Sequence, residues 1–247
     1  MNGGRRLIEP FAGSAAVFLN TEFEEYILAD TNPDLIQLYQ HLVGERNDFI
    51  RYCRSFFSDE NNDEERYYLL RDEFNRTTNI RRKAALFLYL NRHCYNGLCR
   101  YNSKGKFNTP FGRYTRPYFP KKEMEHFIDA AGKARFINAG FHNSMRLARP
   151  GDTVYCDPPY APLSDTAYFT DYHSSGFSWE DQMQLAQTAC ELAGQGVQVV
   201  ISNHDTRPVR ALYRDAGAKI RAFEASRTIS CDVSSRKKVG ELLAIFN

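Results

Sequence analysis

The sequence predicts an α/β fold with a mostly parallel sheet, and two patterns support this class. Short apolar runs alternate with helical periodicity at both ends of the chain, as expected where crossover helices join strands. A long middle segment breaks this alternation and spaces its apolar residues as helices do. We therefore expect one α/β domain, residues 1–32 and 123–247, that carries an inserted, mainly helical domain at residues 33–122. A chain of 247 residues is long enough for this arrangement.

Each predicted element follows from a local pattern of apolar residues and turn formers. The predicted strands are residues 7–8, 26–29, 136–138, 154–156 and 197–202, closed by an antiparallel pair at 220–230 and 239–246. The predicted helices are residues 15–19 and 179–193 in the α/β domain and, in the insert, segments around 35–42, 68–74 and 84–90. A hairpin turn between short strands is predicted at residues 103–106, where Gly105 lies between two lysines.

The composition is that of a globular protein, with 43% apolar and 25% charged residues. The longest apolar run, residues 84–90, is far shorter than the roughly 20 residues that cross a bilayer. The first residues do not resemble a signal peptide. Six cysteines are scattered without a CxxC pair, which indicates reduced thiols rather than a disulfide frame or a metal site. We expect a cytoplasmic monomer with no metal and no membrane contact.

The net charge of +2 conceals a strong asymmetry. Residues 76–122 contain twelve Lys or Arg and neither Asp nor Glu, so the rest of the chain holds 20 basic against 30 acidic residues. Nine aromatic residues lie among these twelve positive charges. A segment of this kind is typical of a surface that binds a polyanion.

Asp157, Pro158, Pro159 and Tyr160 follow the predicted strand at 154–156, at the end where open α/β sheets bind ligands. The prolines have no N–H group, so nearby carbonyls remain as acceptors. A carboxylate beside a carbonyl can accept both hydrogens of an exocyclic amine, and the tyrosine ring can stack on a flat heterocycle. The pattern indicates a site for a planar amine. The structural alternative is a proline-rich turn in which Asp157 caps the next helix.

Residues 9–14, EPFAGS, form the first βα turn, where nucleotide cofactors are commonly bound. Gly13 allows a ligand to approach the backbone closely. Asp30 ends the second strand, where an acid can accept hydrogen bonds from ribose hydroxyls. One glycine and one acid are common in such places, so this pattern gains weight from its pairing with the Asp157 turn.

The motifs together resemble a known family. EPFAGS, YILADTNPDL, LFLYLNRHCYNGLCRYN, VYCDPPYAPLS and ISNHDT are similar, in this order, to motifs of bacterial DNA adenine methyltransferases that modify GATC. The likeness extends over nearly the whole chain. It implies a Rossmann-like, S-adenosylmethionine-dependent methyltransferase sheet with an inserted DNA-recognition domain. It also implies action on double-stranded DNA, an association with the nucleoid through that DNA, and roles in replication, mismatch repair or restriction–modification.

The resemblance assigns roles to individual residues. Asp157 and the Pro158 carbonyl would hold the adenine amine, and Tyr160 would stack on the flipped base. Residues implied to bind S-adenosylmethionine, and its product S-adenosylhomocysteine, are Glu9, Pro10, Phe11, Gly13, Asp30 and Asp157. Residues implied to contact the target sequence are Tyr95, Asn96, Leu98, Arg100, Arg113 and Tyr114. Asn203 is implied to lie at the DNA and to frame the active site with His204, and residues 161–177 to order around the extruded base.

The basic segment supports the same interpretation on chemical grounds. Arg100 and Arg113 can make bidentate contacts to guanine, and Asn96 can bind an adenine edge. Phosphate contacts position a protein without specifying a sequence, and the residues best placed for them are Lys104, Lys106, Arg116, Lys121, Lys122 and the basic triplet 236–238. We expect Phe87, Tyr89 and Phe111 to be buried in the core of the insert.

Two departures from the family keep alternatives open. The family begins with a tract of the kind FLKWAGGK that closes over the cofactor, and nothing similar precedes Arg5. The family also has a second glycine in its first turn, where this sequence has Ala15. One alternative is a GATC-binding protein with impaired or lost methyl transfer. Another is a methyltransferase for a different planar amine in RNA or protein. The basic segment argues against a protein amide, and its close match to the family that reads GATC argues against RNA.

Overall fold

The computed structural model describes residues 4–161, 177–225 and 239–247. The chain divides into two compact units, residues 1–31 with 133–247, and residues 32–132. We call the first the sheet unit and the second the helical unit. Residues 162–176 of the predicted loop, residues 226–230 of the predicted strand and the basic triplet 236–238 lie outside the described residues.

The elements are numbered in chain order within the described residues. The strands are β1 (Arg6–Glu9), β2 (Glu25–Asp30), β3 (Ala134–Asn138), β4 (Thr153–Cys156), β5 (Gln198–His204), β6 (Lys219–Ala225) and β7 (Val239–Phe246). The helices are α1 (Ala16–Leu19), α2 (Pro33–Glu45), α3 (Asn47–Arg54), α4 (Glu64–Phe74), α5 (Ile80–His93), α6 (Lys121–Ala130), α7 (Phe141–Met145), α8 (Trp179–Gly194) and α9 (Arg207–Asp215).

The strands form one sheet in the order β3-β2-β1-β4-β5-β7-β6. β7 runs antiparallel to β5 and β6, whereas the other neighbouring pairs are parallel. The predicted α/β class and the closing antiparallel pair are therefore confirmed. This is an open, Rossmann-like sheet in which the chain moves outward from β1 to β3 and then returns to β4.

β1 pairs with both β2 and β4, so the strand order reverses between β1 and β4. Leu7 pairs with Thr153 and Ile8 with Val154, which brings the carboxyl ends of these two strands side by side. Ligands of open α/β sheets bind in the crevice at such a reversal. The sheet therefore places the turn after Glu9 beside the turn that begins at Asp157.

Helix α8 packs against strands β4 and β5. It begins at Ser178, whose hydroxyl accepts from the Asp181 N–H while the Asp181 carboxylate accepts from the Ser178 N–H, a reciprocal cap. Its inner face buries Leu185, Ala186 and Ala189 in the core that β4 and β5 share. The small alanines let the helix approach the sheet closely, and this sets the position of Gln182 one turn earlier.

A buried ion pair joins the start of β1 to the turn before β4. Arg6 donates from its Nε atom to Asp152 Oδ2 at 3.1 Å, and a second guanidinium nitrogen lies 2.5 Å from the same oxygen. That second nitrogen also donates to the Leu147 carbonyl at 2.9 Å. Removing either partner would leave a buried charge uncompensated, which costs about 3–5 kcal/mol. The pair therefore supports the alignment of β1 with β4.

The helical unit is built around α5. Its residues 84–90 are buried without interruption, including Tyr89, whose hydroxyl donates to the Asn61 carbonyl at 2.6 Å. The predicted burial of Phe87 and Tyr89 is confirmed, whereas Phe111 is only half-buried. Asn79 caps α5 by accepting from the Arg82 N–H at 3.0 Å.

The predicted end of the insert at residue 122 differs from the structure, in which the helical unit ends at residue 132. Helix α6 accounts for the difference, because its Phe127 stacks on Tyr39 of α2 with ring centroids 4.7 Å apart. The sequence pattern does not predict helices α3, α6, α7 and α9. In α3 the apolar residues Phe49, Ile50 and Cys53 face inward between charged neighbours, so the window contains too few apolar residues to show a clear period.

Candidate active site and nucleic-acid interface

The Asp157 turn directly follows β4, and a neighbouring strand orients its carboxylate. Cys156 pairs with Ile201, so the next residues, Asp157 and Ser202, lie beside each other at the ends of β4 and β5. The buried Ser202 hydroxyl donates to Asp157 Oδ1 at 2.6 Å, while Asp157 itself is exposed. One carboxylate oxygen is thus fixed by the protein and the group remains open to solvent.

Three buried polar side chains hold the backbone that follows Asp157. The Gln182 side-chain amide donates to the Pro159 carbonyl at 3.1 Å, and the Ala161 N–H donates to Asn203 Oδ1 at 3.1 Å. The Asn203 amide donates to Gln182 Oε1 and to the Tyr213 hydroxyl, each at 3.1 Å, and that hydroxyl donates to Gln182 Oε1 at 2.8 Å. The network leaves the preceding carbonyl, that of Pro158, without a donor among the described residues.

This arrangement corrects the predicted role of Asn203. Its side chain is fully buried and both ends of its amide are bonded within the sheet unit, so it is not available to contact DNA directly. Its neighbour His204 lies against the Asp157 turn. The His204 Nδ1 atom is 2.8 Å from the Ala161 carbonyl oxygen, and the ring packs edge-on against Tyr160 with ring centroids 4.8 Å apart. Both residues support the turn from beneath.

Tyr160 is half-buried beside Asp157. Burial, reinforced by the negative charge of Asp157, raises the pKa of its hydroxyl well above the usual value. The hydroxyl therefore stays protonated at neutral pH and does not act as a base there. Its ring offers a flat apolar surface at the edge of the site.

The first βα turn closes onto the end of β2. The Ala12 N–H donates to the Ala29 carbonyl at 2.8 Å, and the Gly13 N–H donates to Asp30 Oδ2 at 3.1 Å. Gly13 is exposed, has a φ of +46°, and no atom lies within 4 Å of where its β-carbon would be. Pro10 is buried behind the turn. The predicted partners Gly13 and Asp30 thus meet at an open backbone position.

Aromatic rings cover one flank of this turn. Phe11 stacks on Phe141 with ring centroids 5.8 Å apart and meets the edge of Phe177 at 5.5 Å. Phe11 is only partly buried, so the cluster presents apolar surface beside Gly13. Of these three rings, the sequence singled out only Phe11, because Phe141 belongs to the unpredicted helix α7.

Glu9 ends β1 and is 3% exposed. Its Oε1 atom has no hydrogen-bond partner among the described residues, and its carboxylate accepts from the Phe18 N–H. Burial is the main cause, and the nearby Asp157 charge a smaller one, of a pKa that rises from 4.5 to about 8. At neutral pH this carboxyl is therefore mostly protonated.

Ala15 occupies a position that favours glycine. It precedes α1 with φ 59° and ψ 29°, in the left-handed region, and it is fully buried. A β-carbon in this conformation costs about 1–2 kcal/mol. The position at which the sequence departs from the family is thus a strained one.

In the helical unit, the segment after α5 carries three exposed apolar side chains around one turn. Tyr95 and Leu98 are each 50% exposed, and Asn96 between them has a φ of +52°. The Asn96 N–H donates to the Tyr114 hydroxyl at 2.9 Å, and Tyr114 is itself 39% exposed. The structure brings these four predicted contacts together on the surface.

Arg100 is exposed but its guanidinium is held in place. Its Nε atom donates to the Asn108 side-chain oxygen at 2.8 Å and a terminal nitrogen donates to the Asn108 carbonyl at 3.3 Å. The backbone here is fixed by the buried Thr109, whose hydroxyl accepts from the Arg100 N–H at 3.3 Å. A guanidinium held by two hydrogen bonds loses less freedom when it binds a base edge.

The predicted hairpin turn is confirmed, although its flanking strands are reduced to a single bridge between Tyr101 and Phe107. The Asn102 side chain accepts from the backbone N–H groups of Lys104 and Lys106, each at 3.0 Å. Both lysines are exposed at the tip of this turn. They form no ion pair with a described residue.

Arg113 is exposed and lies 3.4 Å from a Glu64 carboxylate oxygen. An exposed pair of this kind contributes about 1 kcal/mol or less, so Arg113 can exchange Glu64 for another anion. The preceding residue, Gly112, was not identified from the sequence. A β-carbon on Gly112 would lie 2.7 Å from the Cys94 carbonyl oxygen and would also meet the Tyr114 ring, so only glycine fits.

The described residues contain neither a membrane-spanning helix nor a cluster of metal-binding side chains. Among residues 4–161, 177–225 and 239–247, no helix is long and apolar enough to cross a membrane. Within the same residues, no group of three or more His, Cys, Asp or Glu side chains is arranged to hold a metal ion.

An open Rossmann-like sheet with an antiparallel β7 carries an Asp-Pro-Pro-Tyr turn at the reversal of strand order, the arrangement expected of a methyltransferase that acts on amino groups. Residues 1–229 match the family described as D12 class N6 adenine-specific DNA methyltransferase, and the chain belongs to this family. The sequence motifs predicted a DNA adenine methyltransferase, and membership of this N6 adenine-specific family confirms that prediction.

Curated relatives are similar along almost the whole chain. A DNA adenine methylase of Serratia marcescens is 51% identical over 98% of this chain and 90% of its own length. DNA adenine methylases of Vibrio cholerae and Escherichia coli K12 are each 49% identical, over 98% of this chain and 87% of theirs. A solved precorrin 8W decarboxylase from Methanobacterium thermoautotrophicum is 8% identical with a TM-score of 0.39, covering 100% of this chain and 83% of that one.

Proposed function

We propose that this protein transfers a methyl group from S-adenosylmethionine to the exocyclic amine of adenine in duplex GATC, after the base has been flipped out of the helix. The observation that carries the proposal is the pairing of two acceptors at the strand reversal. The Asp157 carboxylate is oriented by Ser202, and the adjacent Pro158 carbonyl has no donor among the described residues. The sheet unit would perform catalysis and the helical unit would recognise DNA.

The chain's own groups account for the activation of the amine. Asp157 and the Pro158 carbonyl would each accept one amine hydrogen, which keeps the nitrogen lone pair available for attack. The Tyr160 ring would stack on the extruded base and hold its plane. When bound, S-adenosylmethionine supplies a sulfonium methyl: the new nitrogen–carbon bond forms as the carbon–sulfur bond breaks, with its electron pair left on sulfur. The nitrogen then gives up one proton to water by way of Asp157.

The first βα turn fits a cofactor of this kind. Asp30 ends β2 where an acid accepts from ribose hydroxyls, and the exposed Gly13 leaves space for a ligand at the backbone. Phe11 and its aromatic neighbours offer surface for an adenine ring. Glu9 presents an unpartnered buried oxygen, as a group that awaits a ligand does. Pro10 keeps the turn rigid.

The helical unit supplies two kinds of DNA contact. Arg100 and Arg113 would bind guanine in the major groove and Asn96 an adenine edge, which gives sequence discrimination. Tyr95, Leu98 and Tyr114 would act as apolar side chains that wedge between or against bases, offsetting part of the few kcal/mol that base extrusion costs. Lys104 and Lys106 would contact phosphates, which strengthens binding without specifying sequence.

The proposal is tested by Asp157→Asn with tritiated S-adenosylmethionine and two duplexes, one with GATC and one with the same bases scrambled. Wild-type protein is expected to label only the GATC duplex, and the variant to lose at least about a thousandfold in rate while DNA binding is kept. Asp215→Asn, an exposed substitution at the end of α9, serves as the control and should leave the rate unchanged. Equal labelling of both duplexes would contradict GATC specificity, and wild-type turnover by Asp157→Asn would contradict the mechanism.

A second candidate is a GATC-binding protein with impaired methyl transfer, and Ala15 is the observation that favours it. Ala15 has a left-handed backbone conformation, which favours glycine, within the turn that would hold the cofactor. Calorimetry with S-adenosylmethionine separates the two candidates. Failure to bind cofactor together with intact GATC binding would support the second candidate. Recovery of cofactor binding in Ala15→Gly would then identify the β-carbon as the cause.

A further inference from the structure

The Glu9 carboxyl is buried beside the strand reversal, and one of its oxygens lacks a hydrogen-bond partner among the described residues. It is 3% exposed, it accepts a hydrogen bond from the Phe18 N–H at the start of α1, and its Oε1 atom has no partner among the described residues. A buried polar atom without a partner calls for an explanation, because leaving it so costs about 1–3 kcal/mol. The mechanism above does not use this carboxyl as an acid or a base.

No cation offsets its charge within the described residues. On β1 itself Glu9 is paired with the apolar Leu28 of β2, and α1 offers it only the Phe18 N–H. On the β4 side the groups that face it are Tyr155, Cys156 and Asp157, all neutral or negative. Burial first, and the Asp157 charge second, raise the pKa of Glu9 to about 8, so that at pH 7 about nine molecules in ten carry the proton.

The proposed reaction changes the charge beside this carboxyl. In the proposed reaction the amine held by Asp157 would attack the methyl group in line, which would bring the sulfonium near Asp157. The charge of Asp157 in turn acts on Glu9. Before transfer the sulfur is a cation, and after transfer it is a neutral thioether. A nearby acid that can lose its proton stabilises the first state and not the second.

We propose that Glu9 distinguishes the cofactor from its product by charge: it carries a proton in the empty site and with S-adenosylhomocysteine, and it releases that proton to solvent when the sulfonium of S-adenosylmethionine binds. The inference rests on the proposed function, because it requires that cofactor. It assigns Glu9 a part in specificity that differs from lining the pocket, since the contribution depends on ionisation rather than on shape. The expected effect is tighter binding of cofactor than of product at neutral and alkaline pH.

The test is titration calorimetry at pH 7 in two buffers of different ionisation enthalpy, which counts the protons released on binding. Wild-type protein should release about 0.9 proton with S-adenosylmethionine and none with S-adenosylhomocysteine. An analogue with a protonated amine in place of the sulfonium should behave as the cofactor does. Raising the pH from 7 to 9 should tighten binding of S-adenosylmethionine about tenfold, because ionised Glu9 no longer has to lose a proton.

Glu9→Gln keeps the size of the protonated side chain but cannot ionise. It should release no proton with either compound, and its preference for cofactor over product should fall about tenfold, while Glu25→Gln, an exposed substitution at the start of β2, behaves as wild type. Cooperative melting of Glu9→Gln shows that it is folded. Cofactor binding to wild type without proton release, or an unchanged preference in Glu9→Gln, would overturn the inference and leave the proposed function standing. Absence of cofactor binding to the wild type would overturn both.

Discussion

The Ser202 hydroxyl donates to Asp157 Oδ1 at 2.6 Å and joins the ends of two neighbouring parallel strands. Asp157 is exposed, whereas Ser202 is buried on β5. The hydrogen bond therefore transfers the rigidity of the sheet to the carboxylate. Positioning of this kind contributes to catalysis because the reacting groups meet without further loss of freedom.

Ser202→Ala is accordingly expected to lower kcat about 10–100-fold, since a hydrogen bond to a charged group contributes about 1.5–3 kcal/mol. KM for DNA should change little, because the predicted DNA contacts lie in the helical unit. Steady-state methylation of a GATC duplex measures both. Ser144→Ala, which removes another buried hydroxyl that is bonded within α7, is the control. An unchanged kcat in Ser202→Ala would show that Asp157 needs no orienting group.

Tyr213→Phe tests the network beneath the turn. Loss of the hydroxyl removes the donor to Gln182 Oε1 and the acceptor for one Asn203 hydrogen, both in a fully buried place. We expect the free energy of unfolding to fall by about 1–3 kcal/mol. In urea titrations Tyr68→Phe should be neutral, because its hydroxyl bonds to no described residue and the Arg71 guanidinium still has a ring to pack on. A kcat that falls more in Tyr213→Phe than in Tyr68→Phe would link the network to the Asp157 turn.

Local patterns were enough to predict the strand segments, the closing antiparallel pair and the Asp157 turn. The Asp157 turn could be predicted because a short apolar run and the two prolines after it lie next to each other in the sequence. That the turn lies at a strand end where ligands bind follows from the fold class. The same holds for Gly13 and Asp30, which the structure joins by a hydrogen bond. Long, strongly periodic helices such as α5 were found for the same reason.

Partners distant in sequence could not be predicted in this way. Ser202 meets Asp157 only because β4 and β5 pair in one register, and Gln182 meets Pro159 only because α8 packs at one depth. For Asn203 the motif predicted both a DNA contact and a place that frames the active site. Its side chain is buried and bonded beside the Asp157 turn, so burial argues against the direct DNA contact alone. The end of the insert was misplaced because the stacking of Phe127 on Tyr39 is a tertiary contact.

Gly112→Ala is expected to disturb the predicted DNA-binding turn. The added β-carbon would lie 2.7 Å from the Cys94 carbonyl oxygen and against the Tyr114 ring, so the backbone or the ring must move. Overpacking of this kind costs about 1–3 kcal/mol. The free energy of unfolding measured in urea should fall, and the affinity for a GATC duplex should fall with it. Gly44→Ala, in α2 with nothing within 4 Å, should instead stabilise by about 0.5–1 kcal/mol. Wild-type affinity in Gly112→Ala would show that Tyr114 is not needed where it lies.

Base contacts and phosphate contacts are expected to respond differently to substitution: loss of a base contact reduces sequence preference, and loss of a phosphate contact reduces affinity for every duplex. Arg100→Ala should reduce the preference for GATC over a scrambled duplex by about 1–3 kcal/mol. The double variant Lys104→Ala, Lys106→Ala should bind both duplexes more weakly by the same factor. The fall of log affinity with log salt should become less steep by about 2. Fluorescence anisotropy between about 50 and 200 mM salt gives both quantities. A loss of discrimination in the lysine pair, or none in Arg100→Ala, would reverse the assignment.

Glu9 also makes the stability of the unliganded protein depend on pH. Its pKa is higher in the folded chain, about 8, than the 4.5 of an exposed carboxyl, so folding favours the protonated form. Its stabilising contribution is therefore complete below about pH 4.5 and is lost as the pH rises through 8. Between these limits the free energy of unfolding should fall by about 1.4 kcal/mol for each pH unit.

Urea unfolding of the wild type and of Glu9→Gln at several pH values isolates this effect. The difference between the two proteins should grow in favour of Glu9→Gln from about pH 5 to 8 and then level off. Other titrating groups cancel in this difference, among them the buried His93, whose pKa burial lowers to about 4. Glu25→Gln should run parallel to the wild type throughout, because its carboxylate is exposed. A constant difference between wild type and Glu9→Gln would mean that Glu9 is already ionised in the folded protein, and it could then release no proton when cofactor binds.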